Sequence, residues 1–234
     1  CSSTFILNQI PNEESDDKSK KLFLVGKHIS LEKSQSIANI LLISGLVISL
    51  VANWFTAILV GCIYLVWGII YNQKPFNWKR KPILGWLANS IVGGLLFAVG
   101  WFLVMNDQLN YGIIPLNMSL FQYMLPYLLC FSSIALLTTL VDMNGDTEPG
   151  DPTLSALYGK MPILLLALIF FCAAFVFALH QGDPLASTAS LVSIPFFVFT
   201  VIRRFEKDVL RAIRYPIFIL NFFTLSIYPW LFVP

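Results

Sequence analysis

The sequence predicts an all-α membrane protein, a polytopic bundle of about seven full transmembrane helices preceded by the end of an eighth. Hydrophobic residues make up 57% of the 234-residue chain and charged residues 12%. The mean hydropathy of +0.74 is far from that of an ordinary globular domain. Uncharged stretches of about 20 residues, the length that crosses a bilayer, recur along the chain. The connections between them alternate between nearly uncharged and strongly charged, as expected for repeated membrane crossing.

Each apolar stretch is predicted to be a helix, because backbone groups inside lipid must be hydrogen-bonded within the protein and an open strand cannot achieve this. The apolar start of the chain, CSSTFILNQI, is predicted to be the end of the eighth helix. Pro126, Pro195 and Pro216 lie inside predicted spans and are expected to kink them. In chain order, the seven predicted spans are residues 36–53, 54–71, 82–105, 118–141, 161–179, 185–202 and 215–233.

The positive charges predict the orientation in the membrane. All 15 Lys and Arg residues lie in four connections, residues 11–35, 72–81, 142–160 and 203–214. Following the chain through the seven spans puts these connections on one side. Because positive loops stay in the cytoplasm, we predict a multi-pass protein with cytoplasmic charged loops, in a bacterial inner membrane. The net charge of +2 indicates no nucleic-acid-binding surface.

The four cysteines do not indicate a metal site or a disulfide framework. Cys1, Cys62, Cys130 and Cys172 have no spacing typical of either, and the last three lie in apolar stretches. They are predicted to pack as small apolar side chains. Cys1 at the start would suit an acylated lipoprotein, but a chain that begins inside a helix explains the apolar start better.

Carboxylates form two clusters on the predicted cytoplasmic side, each directly after the C-terminal end of an apolar helix. A carboxylate there is disfavoured by about 0.3–1 kcal/mol, because the helix dipole is negative at that end. One such cluster alone is most simply a solvated loop. Two on one face, with Asn12 and Asp16 and then Asp142 and Asp146 spaced by four, favour a divalent cation held by oxygen ligands, and Mg²⁺ is the ion of that kind.

The connection YNQKPFNWKRKP brings Tyr71, Lys79 and Arg80 to the same predicted face. Lysine next to Mg²⁺ is a common combination for binding a diphosphate. Retention of the loop in the cytoplasm would explain these positive charges as well, and it is sufficient for Lys81 and for the group in residues 203–214.

With these motifs in place, the chain resembles the UbiA superfamily of intramembrane prenyltransferases over its whole length. The family's Tyr, Pro and Lys after its fourth helix are matched by Tyr71, Pro75 and Lys79. Its first acidic motif, Asn-x-x-x-Asp-x-x-x-Asp, is matched by Asn8, Asn12 and Asp16. Its second, Asp-x-x-Gly-Asp followed by Gly and Thr, is matched by Asp142, Gly145, Asp146, Gly150 and Thr153.

The resemblance implies a nine-helix bundle around a central cavity. Residues 1–234 would then be one domain without the first helix and most of the second. The implied activity is Mg²⁺-dependent transfer of a prenyl group from an allylic prenyl diphosphate to a hydrophobic or aromatic acceptor, such as a quinone precursor or a lipid, within the bilayer. No obligatory protein partner and no nucleic acid are implied.

The resemblance also implies roles for individual residues. Asp142, Asp146 and Lys79 would be catalytic, and Lys79, Lys21 and Tyr71 would bind the diphosphate. Aromatic rings of the spans, among them Phe97, Trp101, Tyr123 and Tyr127, would be candidates to stabilise an allylic cation. Mg²⁺ would be held by Asn8, Asn12, Asp16, Asp142 and Asp146.

Two departures from the family pattern leave alternatives open. Asn12 stands where the family usually has Asp, and Thr139 stands where relatives often have another Asp. An inactive relative that binds prenyl lipids is therefore one alternative. A transporter is another, although transporters tend to place ionisable residues within their spans and all the predicted spans lack charge.

Overall fold

The computed structural model describes residues 2–10, 25, 28–104, 118–142, 153–203 and 206–227. Apart from turns and one isolated bridge between Val25 and Ile29, these residues are helical, which confirms the predicted all-α class. The α-helices are α1 Ser2–Gln9, α2 Leu31–Ala52, α3 Trp54–Ile63, α4 Pro82–Val104, α5 Met118–Asp142, α6 Leu154–Tyr158, α7 Lys160–Gln181, α8 Pro184–Arg203 and α9 Glu206–Ile227. Helix α3 continues as a π-helix, Tyr64–Ile70, and a 3₁₀ turn, Trp78–Arg80, precedes α4.

Six of the described helices are long and apolar enough to cross a membrane: α2, α4, α5, α7, α8 and the part of α9 from Asp208 to Ser226. The remaining predicted span, residues 54–71, is a shorter apolar helix, Trp54–Ile70. Large apolar side chains face outward, with Val51 83% and Leu225 78% exposed, whereas Ser133 and Ser193 are completely buried. This reversal of the soluble pattern fits helices surrounded by lipid and confirms an integral, multi-pass membrane protein.

The first of two compact units comprises residues 1–79 and 95–116. Helix α1 packs against α2 and the π-helix, and their small core contains Ile6, Leu7 and Ala38. A single residue, Asn53, separates α2 from α3. Asn53 has an extended backbone there, and its side chain accepts a hydrogen bond from the Thr56 N–H at 2.7 Å, which begins α3.

The second unit comprises residues 80–94 and 117–234. Within it α7 packs against α5 and α8, and α9 packs against α8 and α5. The core of this unit includes stacked rings of Phe171 and Phe197, whose centroids are 4.3 Å apart. Small residues allow close approach of the helices, and the Ser133 hydroxyl donates to the Ala167 carbonyl at 2.6 Å.

One carboxylate joins the turn between α7 and α8 to α5. Asp183 caps α8, since its Oδ1 accepts hydrogen bonds from the N–H groups of Leu185 and Ala186 at 3.0 and 2.9 Å. Its Oδ2 accepts the hydroxyl of Tyr127 at 2.8 Å. Tyr127, a candidate to face an allylic cation, therefore has a structural hydrogen bond.

The predicted start of the last helix is wrong. Helix α9 begins at Glu206 rather than at residue 215, so most of the predicted basic connection 203–214 is helical. Val209 and Ala212 are buried on its inner face, whereas Arg211 and Arg214 are exposed on the outer face. Hydropathy detects only the part of a helix that lipid surrounds, and this helix extends beyond that part as an amphipathic helix. Pro126, Pro195 and Pro216 lie inside helices, and the kinks at these positions stay predictions.

Candidate functional site

The motif residues are divided between the two units. Asn8 lies half-buried near the end of α1, Tyr71 follows the π-helix, and Lys79 is exposed in the 3₁₀ turn, all in the first unit. Asp142 is the last residue of α5 in the second unit. The other predicted site residues lie outside the described residues: Asn12, Asp16, Lys21 and Asp146.

The first acidic stretch begins and ends at α1. The chain leaves α1 at Gln9, and the N–H of Val25 returns to donate a hydrogen bond to the Gln9 Oε1 at 3.4 Å. Val25 itself is buried in the core that α1 shares with α2. Gln9 and Val25, which flank the first acidic stretch in the sequence, are thus held together at the end of the helix that carries Asn8.

The structure brings Tyr71 and Lys79 together through their backbones. The N–H of Lys79 donates to the carbonyl of Tyr71 at 3.0 Å, although eight positions separate them in the sequence. The turn between them closes in steps, with the Gln73 N–H bonded to the Ile69 carbonyl and the Asn77 N–H bonded to the Gln73 carbonyl, both at 2.8 Å. This hydrogen bond holds the backbones of Tyr71 and Lys79 next to each other, and the shared role of the two side chains in binding stays a prediction.

The π-helix before Tyr71 depends on residues that the sequence interpretation missed. The Tyr71 N–H donates to the Val66 carbonyl at 2.8 Å, and the Asn72 side chain donates to the Trp67 carbonyl at 2.6 Å. Gly68 leaves room for the ring of Tyr64, since a Cβ at residue 68 would lie 2.9 Å from the Tyr64 Cε2. Single π-turns inside helices are often found at functional sites. A glycine four residues after an aromatic residue was the signal in the sequence.

The second acidic stretch is also tied at both ends. Beyond it, Thr153 caps the short helix α6, with its side chain accepting the Ala156 N–H at 3.3 Å. Ser155 lies two residues after Thr153, and its hydroxyl donates to the Thr139 carbonyl at 2.6 Å. The chain therefore returns to the end of α5 within one turn of Asp142.

Two motif positions acquire structural roles from these contacts. Thr153, which matches the family motif, is a helix cap, and such caps contribute about 0.5–2 kcal/mol. Thr139 stands where relatives often carry an acid, and its hydroxyl instead donates to the Leu136 carbonyl at 2.7 Å. Ser155 was not recognised from the sequence, because its partner is sixteen positions away and no local pattern reveals it.

The donor chemistry of the motifs fits Mg²⁺. Every predicted ligand is an Asp or an Asn, and carboxylate and amide oxygens are the hard ligands that this ion prefers. Across the described part of the chain, no group of three or more His, Cys, Asp or Glu residues could hold a metal ion. Most of the motif carboxylates lie outside that part, so the magnesium assignment stays a prediction.

The fold and the motifs define a multi-pass membrane protein whose described motif residues lie at or near helix ends rather than within the spans. The model of the UbiA prenyltransferase family matches residues 1–227, and the chain belongs to this family. The family membership implied by the motifs is confirmed.

Two curated relatives from Humulus lupulus illustrate the similarity. A chloroplastic 2-acyl-4-prenylphloroglucinol 6-prenyltransferase is 28% identical over 188 residues, which are 74% of this chain and 43% of the relative. A chloroplastic 2-acylphloroglucinol 4-prenyltransferase is 27% identical over 211 residues, which are 86% of this chain and 50% of the relative. The chain spans about half the length of the curated relatives it matches.

A solved structure of digeranylgeranylglyceryl phosphate synthase shares the fold. Its TM-score is 0.61, and the match covers 97% of this chain and 79% of that chain. The two sequences are 21% identical, so this likeness concerns the fold alone.

Proposed function

We propose that the protein transfers a prenyl group from an allylic prenyl diphosphate to an aromatic acceptor within the membrane, with Mg²⁺ as cofactor. The observation that carries the proposal is the family match across residues 1–227, which includes both acidic motifs and the Tyr71–Lys79 turn. The curated relatives are named for prenylation of acylphloroglucinols, which are electron-rich phenolic rings. This favours an aromatic acceptor over a lipid one.

In this proposal the polar residues bind the donor's head. Asn8, Asn12, Asp16, Asp142 and Asp146 would hold Mg²⁺, which when bound neutralises charge on the departing diphosphate. Lys79 and Lys21 would donate hydrogen bonds to the diphosphate oxygens, and the Tyr71 hydroxyl would donate another. The backbone bond from Lys79 to Tyr71 supports a joint role, since it holds the two backbone positions next to each other.

The apolar helices would surround the prenyl end of the donor, where the reaction takes place. The bond between the allylic carbon and the diphosphate oxygen breaks, and the electron pair leaves with the diphosphate. A ring carbon of the acceptor then bonds to the allylic carbon, and the ring proton is lost. Walls made of apolar helices would keep water away from the cation, so that the acceptor captures it first.

Two alternatives differ from this proposal in what they predict. An inactive relative would bind prenyl diphosphate without releasing diphosphate, and Asn12 in place of an acid is the observation in its favour. A transporter would move a solute across a vesicle membrane. The distribution of charge along α9 does not favour it, because Asp208 and Arg211 lie near the start of the span Asp208–Ser226 rather than in its middle.

The test is turnover by the purified protein with a labelled prenyl diphosphate, a panel of phenolic acceptors and a Mg²⁺ titration. Asp142→Asn is expected to lower turnover on the order of 100-fold or more, the scale of losing one group that stabilises transition-state charge. The matched control is Glu32→Gln, which neutralises an exposed carboxylate in the first turn of α2, outside the motifs.

The control is expected to stay within about twofold of the unaltered protein, as for surface substitutions away from a site. Undiminished turnover by Asp142→Asn would contradict the metal assignment. Tight binding of the donor without diphosphate release, in all variants and at every Mg²⁺ concentration, would support the inactive relative instead.

A further inference from the structure

A cavity of about 240 Å³ lies where α8 ends and α9 begins, entirely within the second unit. It contains none of the motif residues. Its lining residues are Phe196, Phe199, Arg203, Asp208, Arg211 and Tyr215.

The charges of this cavity leave a positive excess. Asp208 is buried, with 5% of its surface exposed, and its Oδ1 accepts a hydrogen bond from the Arg211 Nη1 at 3.0 Å. The Asp208 carbonyl accepts the Thr200 hydroxyl at 2.9 Å, which fixes the residue against α8. The cavity is therefore lined by two guanidinium groups and one carboxylate, and that carboxylate is already paired.

Both arginines are positioned to donate further hydrogen bonds. A guanidinium has five N–H donors, and the bond to Asp208 uses one of those of Arg211, whose side chain is half exposed. The guanidinium carbon of Arg203 lies 5.0 Å from the centroid of the Phe199 ring. A guanidinium held over a ring keeps its N–H edge available, and from that edge arginine can donate two parallel hydrogen bonds to two oxygens of a phosphate.

Three aromatic rings also line the cavity. The rings of Phe196 and Tyr215 meet edge to face with centroids 4.8 Å apart, and Phe199 and Tyr215 are 45% and 42% exposed. The apolar span of α8 ends at Arg203, and that of α9 begins at Asp208. The cavity therefore lies at the boundary between lipid and water, where aromatic side chains collect in membrane proteins.

We propose that this cavity binds the headgroup of an anionic phospholipid from the surrounding bilayer. Arg203 and Arg211 donate hydrogen bonds to the phosphate oxygens, and the start of an acyl chain lies against Phe199 and Tyr215. Two arginines beside an apolar wall favour a phospholipid over a soluble anion, because only the phospholipid has an acyl chain that can contact the wall. Basic pockets between helices at the cytoplasmic surface bind acidic headgroups in other membrane proteins, and this end of α8 is on the predicted cytoplasmic side. The proposal does not rest on the prenyl transfer proposed above.

The test uses the full chain in nanodiscs of phosphatidylcholine containing a minor fraction of phosphatidylglycerol, and measures retained lipid by native mass spectrometry. Phosphatidylglycerol is expected to be enriched on the unaltered protein. Arg203→Gln is expected to lower this preference about tenfold, the change expected from losing one charge-assisted contact. The matched control is Arg214→Gln, which removes an exposed charge of α9 that does not line the cavity.

A second variant addresses the buried pair. Arg211→Gln alone would leave Asp208 buried and unpaired, so the double variant Asp208→Asn with Arg211→Gln removes both charges together. This double variant is also expected to lose the preference for phosphatidylglycerol, with the protein still folded by size-exclusion chromatography.

Competition identifies the source of the bound phosphate. Glycerol 3-phosphate and inorganic diphosphate, added in excess, are expected to leave the retained phosphatidylglycerol unchanged. Displacement by either would overturn the proposal, because the cavity would then be a site for a soluble anion or for the donor's head. Equal losses in Arg203→Gln and Arg214→Gln would overturn it too, since surface charge alone would then explain the enrichment.

Discussion

The Tyr71–Lys79 turn of the first unit and the Asp142 helix end of the second are held in different ways. The turn follows a π-helix that packs against α1, and the core beneath it is small. Asp142 ends a helix that packs against α7 and α9 over a large core. Among the described residues, 11% of the apolar window of α2 is buried and 39% of that of α5.

This difference separates two ways in which a membrane helix can present a polar residue. In the second unit, side-chain packing fixes the position of the helix and thereby the position of the residue at its end. In the first unit, an irregular backbone hydrogen-bond pattern sets the geometry, and few packed side chains reinforce it. Changes in packing should therefore affect the stability of the second unit most, whereas changes at the turn should affect donor binding most.

Among the variants that test this contrast between the two units, the largest expected effect is at the turn of the first unit. Lys79→Met is expected to raise the KM for prenyl diphosphate about 10- to 100-fold, because a charge-assisted hydrogen bond to the diphosphate is lost. The kcat should change less, and the unfolding midpoint should stay the same because Lys79 is exposed. Steady-state kinetics with varied donor measure both constants.

The matched control is Lys74→Met, an equal loss of charge at an exposed position in the same connection. It should leave the KM within about twofold. Equal effects in both variants would mean that the loop acts only through its net charge.

The second unit should be sensitive to packing at Gly93. A Cβ at this position would lie 2.6 Å from the Phe131 Cγ and 2.9 Å from its Cβ. The Phe131 Cβ is close to the backbone and cannot rotate away, so Gly93→Ala should destabilise the protein by about 1–3 kcal/mol. Thermal or denaturant unfolding in detergent measures the change.

Gly100 of the same helix α4 provides the matched control, since nothing lies within 4 Å of a Cβ placed there. Gly100→Ala should stabilise the helix by up to about 1 kcal/mol, because alanine has the higher helix propensity. Shifts of the same sign and size in the two variants would show that packing at Phe131 does not limit the second unit.

The smallest expected effect on stability is at Gly68 of the first unit. A Cβ there would lie 2.9 Å from the Tyr64 Cε2, at the far side of a ring that can shift. Gly68→Ala should cost only about 1 kcal/mol, the lower end of overpacking effects. Because that ring packs on the core beneath the π-helix, the variant should still raise the KM for the donor several-fold. Gly61→Ala, placed in open space one and a half turns earlier, should change neither quantity. An unchanged KM in Gly68→Ala would show that the π-helix does not position the turn.

The candidate site was predicted unevenly, and particular residues show why. Tyr71, Lys79 and Asp142 could be placed at helix ends because apolar stretches end where charges begin, and the structure puts them there. Asn72, Gly68 and Ser155 escaped prediction because their roles depend on partners rather than on residue type. The hydrogen bond from Ser155 to Thr139 joins residues on either side of an acidic segment of the sequence, so no short stretch of sequence reveals it.

By itself, the sequence determined the helical class, the membrane setting and the ends of most spans. In lipid each helix satisfies its own backbone, so composition over about 20 residues is sufficient to predict it. Only the tertiary structure decided the π-helix after α3, the early start of α9 and the cavity between α8 and α9. The π-helix accompanies a fit within one helix, the ring of Tyr64 over Gly68. The start of α9 and the cavity depend on contacts between two helices, such as the Thr200 hydroxyl bonded to the Asp208 carbonyl, and such contacts are not encoded in any local pattern.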